Sequence, residues 1–199
     1  LCTPGVVCAI SIAIQAYTNR NDAVMIMQPV YHPFKNAVVK NQRRLVEHHL
    51  LTGEDGRFQI DFERMEEQLR TEQVRLFILC TPHNPGGRVW TKEELEKIIE
   101  LCLRYDVLVV ADEIHHDFTF PGHPHTEFAP LSPEMEQRCV ICTAPSKTFN
   151  IAGLGLSNIF IPNAALRQKF QNVLDCCGLD TVNLVSLEAC KAAYTYGAD

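Results

Sequence analysis

Short apolar runs along this chain alternate with segments in which apolar residues recur every three or four positions. The runs 23–27, 44–47, 74–80, 107–111, 139–144 and 156–161 read as strands, and amphipathic periodicity predicts helices over 6–17, 61–69, 164–176 and 183–196. A further helix starts at Thr91-Lys92-Glu93-Glu94, a capping box, and carries Leu95, Ile98, Ile99 and Cys102 on one face. The 6–17 segment is apolar nearly all round, so it is expected to be buried against a sheet. The runs 74–80 and 107–111 show no alternation, as expected of strands covered by helices on both faces. The predicted fold is therefore α/β, a mostly parallel sheet flanked by helices, with a functional crevice outside the carboxyl ends of the strands. Pro121-Gly122-His123-Pro124-His125 and Leu131-Ser132-Pro133 mark a long irregular connection before the 139–144 strand.

Composition narrows the class. With 199 residues, 46% hydrophobic and 21% charged, the chain can bury a sizeable core and suits one domain. A net charge of -6 without blocks of like charge argues against nucleic acid or a membrane surface as partner and leaves a small metabolite open. No apolar stretch reaches the roughly 18 residues that a membrane span needs. The opening Leu1 followed by the turn Thr3-Pro4-Gly5 reads as the interior of a longer protein, so the N-terminus carries no information about a signal peptide. Nine cysteines, mostly inside apolar runs, are expected to be reduced, buried thiols. Cys139 and Cys142 form a CxxC pair, but strand residues three apart point to opposite faces, and no metal site is expected.

Candidate chemistry lies where the strand-like runs end. Lys147, in Ser146-Lys147-Thr148-Phe149-Asn150, directly follows an apolar run and is a candidate Schiff-base former; Asn84-Pro85-Gly86-Gly87 and Asp112-Glu113-Ile114-His115 follow two others. Singly, each has an ordinary reading as a solvated lysine, a turn, and a helix cap or loop. Together they supply what pyridoxal 5'-phosphate (PLP) needs: an amine for the aldehyde, a carboxylate for the pyridine nitrogen, and an amide for the ring oxygen. Gly5, opening the first helix, would let backbone N–H groups approach a phosphate, and Ser146 adds a hydroxyl beside the lysine.

Four stretches carry a resemblance: Pro29-Val30-Tyr31-His32-Pro33-Phe34, Cys80-Thr81-Pro82-His83-Asn84-Pro85-Gly86-Gly87-Arg88-Val89-Trp90, Asp112-Glu113-Ile114-His115 and Ala144-Pro145-Ser146-Lys147-Thr148-Phe149-Asn150. Together they resemble the class I/II aminotransferase family of fold-type I PLP enzymes, and within it the MalY/PatB branch of cysteine carbon-sulfur lyases. The resemblance implies that 1–199 is the large PLP-binding domain, without the small-domain parts that flank it in the family. It implies Lys147 as the Schiff-base lysine, Asp112 as the pyridinium partner, Asn84 as ligand of the ring oxygen and Tyr31 as the aromatic over the ring. Gly5, Val6 and Val7 become backbone phosphate donors, and His115 stands where many relatives have a tyrosine near the ring oxygen. One position departs: many members carry an arginine eight residues after the lysine, where this chain has Gly155. The lyase branch resembles this chain in that departure. The implied activity is cleavage of an L-cysteine S-conjugate such as cystathionine to a thiol, pyruvate and ammonia, by a cytoplasmic homodimer. Transamination of amino acids is the alternative, and a truncated, non-catalytic PLP fold serving as a binding or regulatory protein is a further one.

Overall fold

The computed structural model describes residues 1–197. Strand β1 (Cys2–Thr3) leads into α1 (Val6–Tyr17), β2 (Ala23–Gln28), α2 (Pro33–Lys40) and β3 (Arg44–His49). A small hairpin of β4 (Leu51–Thr52) and β5 (Phe58–Gln59) is followed by α3 (Phe62–Thr71), β6 (Val74–Cys80), α4 (Lys92–Arg104) and β7 (Leu108–Asp112). The one-turn helix α5 (Pro133–Glu136) precedes β8 (Cys139–Thr143); the one-turn α6 (Pro145–Thr148) precedes β9 (Ser157–Phe160), α7 (Ala164–Cys176) and α8 (Leu184–Tyr196).

The main sheet has the order β1-β9-β8-β7-β6-β2-β3. Strands β3, β2, β6, β7 and β8 run parallel, and β9 and β1 close one edge antiparallel. Alternate residues of the central strands feed two cores. Met25, Phe77, Leu79, Val109, Ala111 and Cys139 pack under Met65 and Leu69 of α3 and Leu95, Ile98 and Cys102 of α4. Val24, Ile26, Leu76, Ile78, Val110 and Cys142 pack under Ile10 and Ile14 of α1, Phe34 of α2, and Phe170 and Leu174 of α7. Covering both faces explains the unalternating apolar runs, and it separates Cys139 from Cys142 across the sheet.

Several elements differ from their sequence-based bounds for local reasons. Asp61 and Asn183 precede their helices as N-caps, each accepting backbone N–H bonds at its side-chain oxygen, rather than forming the first helical residues. Helix α2 lacked a periodic signature long enough to read; Pro33 starts it, and Phe34, Ala37 and Val38 hold it to the core. The connection between β7 and β8 is less irregular than its prolines suggest, since a 3-10 turn at Ala129–Leu131 and α5 interrupt it. Lys147, directly after the 139–144 run as the sequence places it, sits on the one-turn α6.

Helix α4 packs across the sheet with its start closed at both ends of the capping box. Thr91 Oγ1 accepts from the Glu94 N–H at 3.2 Å, and Glu94 Oε2 accepts from the Thr91 N–H at 2.8 Å. Thr91→Ala is expected to lower unfolding free energy by about 1 kcal/mol. The urea midpoint at constant m-value checks this, and an unchanged midpoint would show that the cap does not stabilise α4.

Candidate active site

Three central strands end side by side. Cys80 of β6 pairs in register with Asp112 of β7, and Asp112 with Cys142 of β8. Asp112 therefore reaches the rim of the sheet at its middle, and the segments after β6 and β8 carry Asn84 and Lys147 to the same place. A cavity of about 140 Å³ lies there, lined by Lys147, Asp112, Asn84, Tyr31, His115, Ser146, Val6 and Val7 together with Cys80 and Ile114. Eight of the nine residues singled out in the sequence thus meet at one site. Gly5 does not line it but stands immediately before it, as the N-cap of α1.

The turn bearing Asn84 is fastened from several directions. The buried Trp90 donates from Nε1 to Cys80 O at 3.0 Å, and His83 Nε2 lies 2.8 Å from Pro29 O. Arg88 Nη2 donates to both carboxylate oxygens of Glu94, at 2.5 and 2.6 Å, with the guanidinium 4.9 Å from the Trp90 ring centroid. Gly87 has φ +62, a conformation that favours glycine. The Tyr31 N–H donates to Asn84 O at 2.9 Å, which ties the tyrosine's backbone to the asparagine's. The Asn84 side-chain amide makes no hydrogen bond among the described residues, and it borders the cavity.

Asp112 is almost completely buried. Its Oδ1 accepts from the Ile114 N–H at 3.1 Å, and Oδ2 has no hydrogen bond among the described residues. Burial pushes its carboxyl up to about 7, with the Ile114 bond, and more weakly Lys147, pulling the other way. Burial and the nearby Lys147 ammonium both push the His115 imidazole down, which favours its neutral form. Lys147 is exposed at the cavity rim, and Tyr31 presents a partly exposed ring to the same space.

At the other end, Gly5 has φ 120 and α1 has no side-chain cap among the described residues, so its first N–H groups are left without a side-chain acceptor there. Gly155 has φ +54, and a Cβ there would lie 3.8 Å from Pro4 O, beside the entry to α1. The position eight residues after Lys147 therefore adjoins this end of the site but brings no charge.

Cys80 and Ile114 were missed as cavity residues. Both were legible in principle, since the apolar run 74–80 ends at Cys80 and Ile114 lies two residues beyond the end of the next strand. A second, wider cleft of about 630 Å³ shares Asn84 and His115 with the cavity and continues past Gly86 and Gly87 to Phe118 and His123.

The family model for aminotransferase class I and II matches residues 1–178. The chain belongs to that family. It is 49% identical over 195 residues to cystathionine beta-lyase PatB of Bacillus subtilis, covering 98% of this chain and 50% of that protein. It is 34% identical over 196 residues to Protein MalY of Escherichia coli, covering 98% and 49%. Among solved structures, cystalysin from Treponema denticola, which contains a pyridoxal 5'-phosphate cofactor, matches with a TM-score of 0.96 at 38% identity over 100% of this chain and 50% of that one. The chain spans about half the length of the curated relatives it matches. This fold is the expected α/β architecture of fold-type I enzymes.

A buried carboxyl held near 7 has a signed consequence. The native state without cofactor retains a proton that the unfolded chain releases above its ordinary 3.8, so the contribution of this group to stability is complete below that pH and is lost as pH rises through about 7. Asp112→Asn removes the titration. Relative to the parent sequence it is expected to be stabilised by roughly a few kcal/mol at pH 8 and little changed near pH 4, without cofactor. Urea unfolding of both proteins at the two pH values measures the difference, and an equal offset at both would show that Asp112 is already compensated.

Proposed function

We propose that the protein to which this chain belongs is a PLP-dependent carbon-sulfur β-lyase, which cleaves L-cysteine S-conjugates such as cystathionine to a thiol, pyruvate and ammonia. The carrying observation is the buried Asp112 carboxylate, met by a single backbone N–H, in the same cavity as the Lys147 amine. A carboxylate in that position fits a group that brings its own positive charge, as a protonated pyridine does. Chain-wide identity to cystathionine beta-lyase PatB supports the lyase reading over transamination.

Bound there, PLP would supply the electron sink for charge left on the substrate when its α-proton is removed. The chain's own residues do the rest. Lys147 would hold the aldehyde carbon covalently and, once the substrate amine displaces it, take the α-proton at Nζ. Asp112 would keep the proton on the pyridine nitrogen, Asn84 would donate to the ring oxygen with His115 beside it, and Tyr31 would cover the ring. The Val6 and Val7 N–H groups behind Gly5, with the Ser146 hydroxyl, would receive the phosphate. In the net reaction the Cα–H and Cβ–S bonds break, the thiolate leaves, and water releases ammonia from the three-carbon fragment as pyruvate.

Residues 1–199 would be the large cofactor-binding domain of a homodimer. Exposed apolar side chains on α8, among them Leu184, Val185, Leu187 and Tyr194, support a further protein surface against that helix.

The full-length protein with added PLP is expected to absorb near the visible edge, and borohydride followed by peptide mapping should fix the cofactor on Lys147. Lys147→Ala should abolish both; label on Lys92 or Lys169 would overturn the assignment. With L-cystathionine and no keto acid, pyruvate, ammonia and homocysteine should accumulate over many turnovers. Arrest after about one turnover per site, with the cofactor left in its amine form, would instead establish transamination.

A further inference from the structure

We propose that Asp117 is a positioning residue for Lys147, acting through Thr148, an inference that rests on Lys147 being the cofactor-bearing amine. Lys147 lies on α6, a single turn, far below the length at which a helix is stable by itself in water. The Phe149 N–H donates to Pro145 O at 3.0 Å and the Ile151 N–H to Ser146 O at 3.1 Å. Such bonds close the turn but leave its orientation to contacts with other elements. Its entry is fixed by the buried Ala144 and Pro145.

Its exit is fixed by the Thr148 hydroxyl, which donates to Asp117 Oδ2 at 2.6 Å. That is the one side-chain hydrogen bond joining residues 145–148 to another segment among the described residues. Asp117 is held in turn. Its Oδ1 lies 3.3 Å from His116 Nε2, and His116 Nδ1 lies 2.7 Å from Glu113 O. Glu113 is buried; its Oε1 accepts from the Phe128 N–H at 3.0 Å, and its Oε2 lies 3.1 Å from His125 Nε2.

Glu113 directly follows Asp112. A path of short polar contacts therefore starts beside the carboxylate at the end of β7 and ends on the far side of the lysine turn. Neither Asp117 nor Thr148 borders the cavity. Their effect is to set where the Lys147 side chain starts relative to Asp112. The His116–Asp117 pair is substantially exposed and so adds little stability; the constraint lies in the bond that the Thr148 hydroxyl makes to Asp117 as acceptor. Misplacement of a reacting group by about 1 Å can cost on the order of a hundredfold in rate, so a tie outside the site can govern it.

The test uses the full-length protein with Asp117→Ala, Thr148→Val, the double variant, and Asp117→Asn, which keeps an acceptor for the hydroxyl. Two quantities are read: the rate at which PLP added to cofactor-free protein becomes borohydride-fixed on Lys147, and the separate kcat and KM values. Both single variants should slow capture and lower kcat by about 10- to 100-fold with KM little changed. The double variant should be no worse than either single, because one bond is being removed twice. Asp117→Asn should recover most of the loss. Unchanged capture and kcat in a folded Asp117→Ala protein, multiplying effects in the double variant, or failure of Asp117→Asn to recover function overturns the proposal. Should Asp117→Ala not fold, Thr148→Val probes the same bond from the other partner. Label on a different lysine in the unsubstituted protein overturns the reading of Lys147 and this inference with it; normal label with an unaffected Asp117→Ala overturns this inference alone.

Discussion

Asp112 places a carboxylate in the middle of a parallel sheet, between Cys80 and Cys142, where helices on both faces keep water away. Such a group is costly to ionise in isolation, and the folded chain answers with a single backbone N–H and a lysine at the cavity rim. The register of β6, β7 and β8 fixes where that carboxylate stands, and the segments leaving the neighbouring strands fix what surrounds it. A one-residue slip of β7 would turn Asp112 from one core toward the other and separate it from Asn84 and Lys147. The two apolar cores, by holding that register, are therefore part of the site.

The residues around Asp112 are presented by connections rather than by regular elements, so each connection carries its own fastening. After β6, the buried indole of Trp90 returns to Cys80 O, and Arg88 locks onto the residue that also closes the α4 capping box. Glu94 thus serves the turn and the helix together. After β7, the buried Glu113 carboxylate gathers Phe128 and His125 and holds down the long return to β8. These ties lie outside the cavity, and the Asn84 amide and Ser146 hydroxyl that border it take part in none of them. Rigidity is supplied by groups different from those offered to a ligand.

Much of this was legible in the sequence because both signals were strong. Unalternating apolar runs located the central strands, and the residues following three of them named Asn84, Asp112 and Lys147, which meet at one cavity. What escaped has physical causes. Strands β1, β4 and β5 have two residues each, too short for any periodicity, and β1 exists through its pairing with β9. Helix α2 is held by packing of Phe34, Ala37 and Val38 rather than by local preference. The roles of Glu113 and Asp117 depend on partners 12 to 31 residues away, a distance at which no local pattern reports contact.

The end of the site at α1 poses a different electrostatic problem. A phosphate carries up to two negative charges, whereas a helix N-terminus offers roughly half an elementary charge. Gly155 contributes none, and among the residues lining the cavity the fixed cation is Lys147. Charge balance over the cavity then differs from that of a site with arginine at this position, since Asp112 is negative when ionised and Val6, Val7 and Ser146, which line the α1 end, offer neutral donors. Neutral donors are effective where they are already oriented and need no desolvation of a counter-ion. The N–H groups behind Gly5 meet that condition, because the helix they begin is anchored by six buried residues among its twelve and so has little freedom to move. Anchoring of a phosphate by this chain would accordingly depend on the placement of α1 against the sheet, the same packing that holds β6, β7 and β8 in register under Asp112.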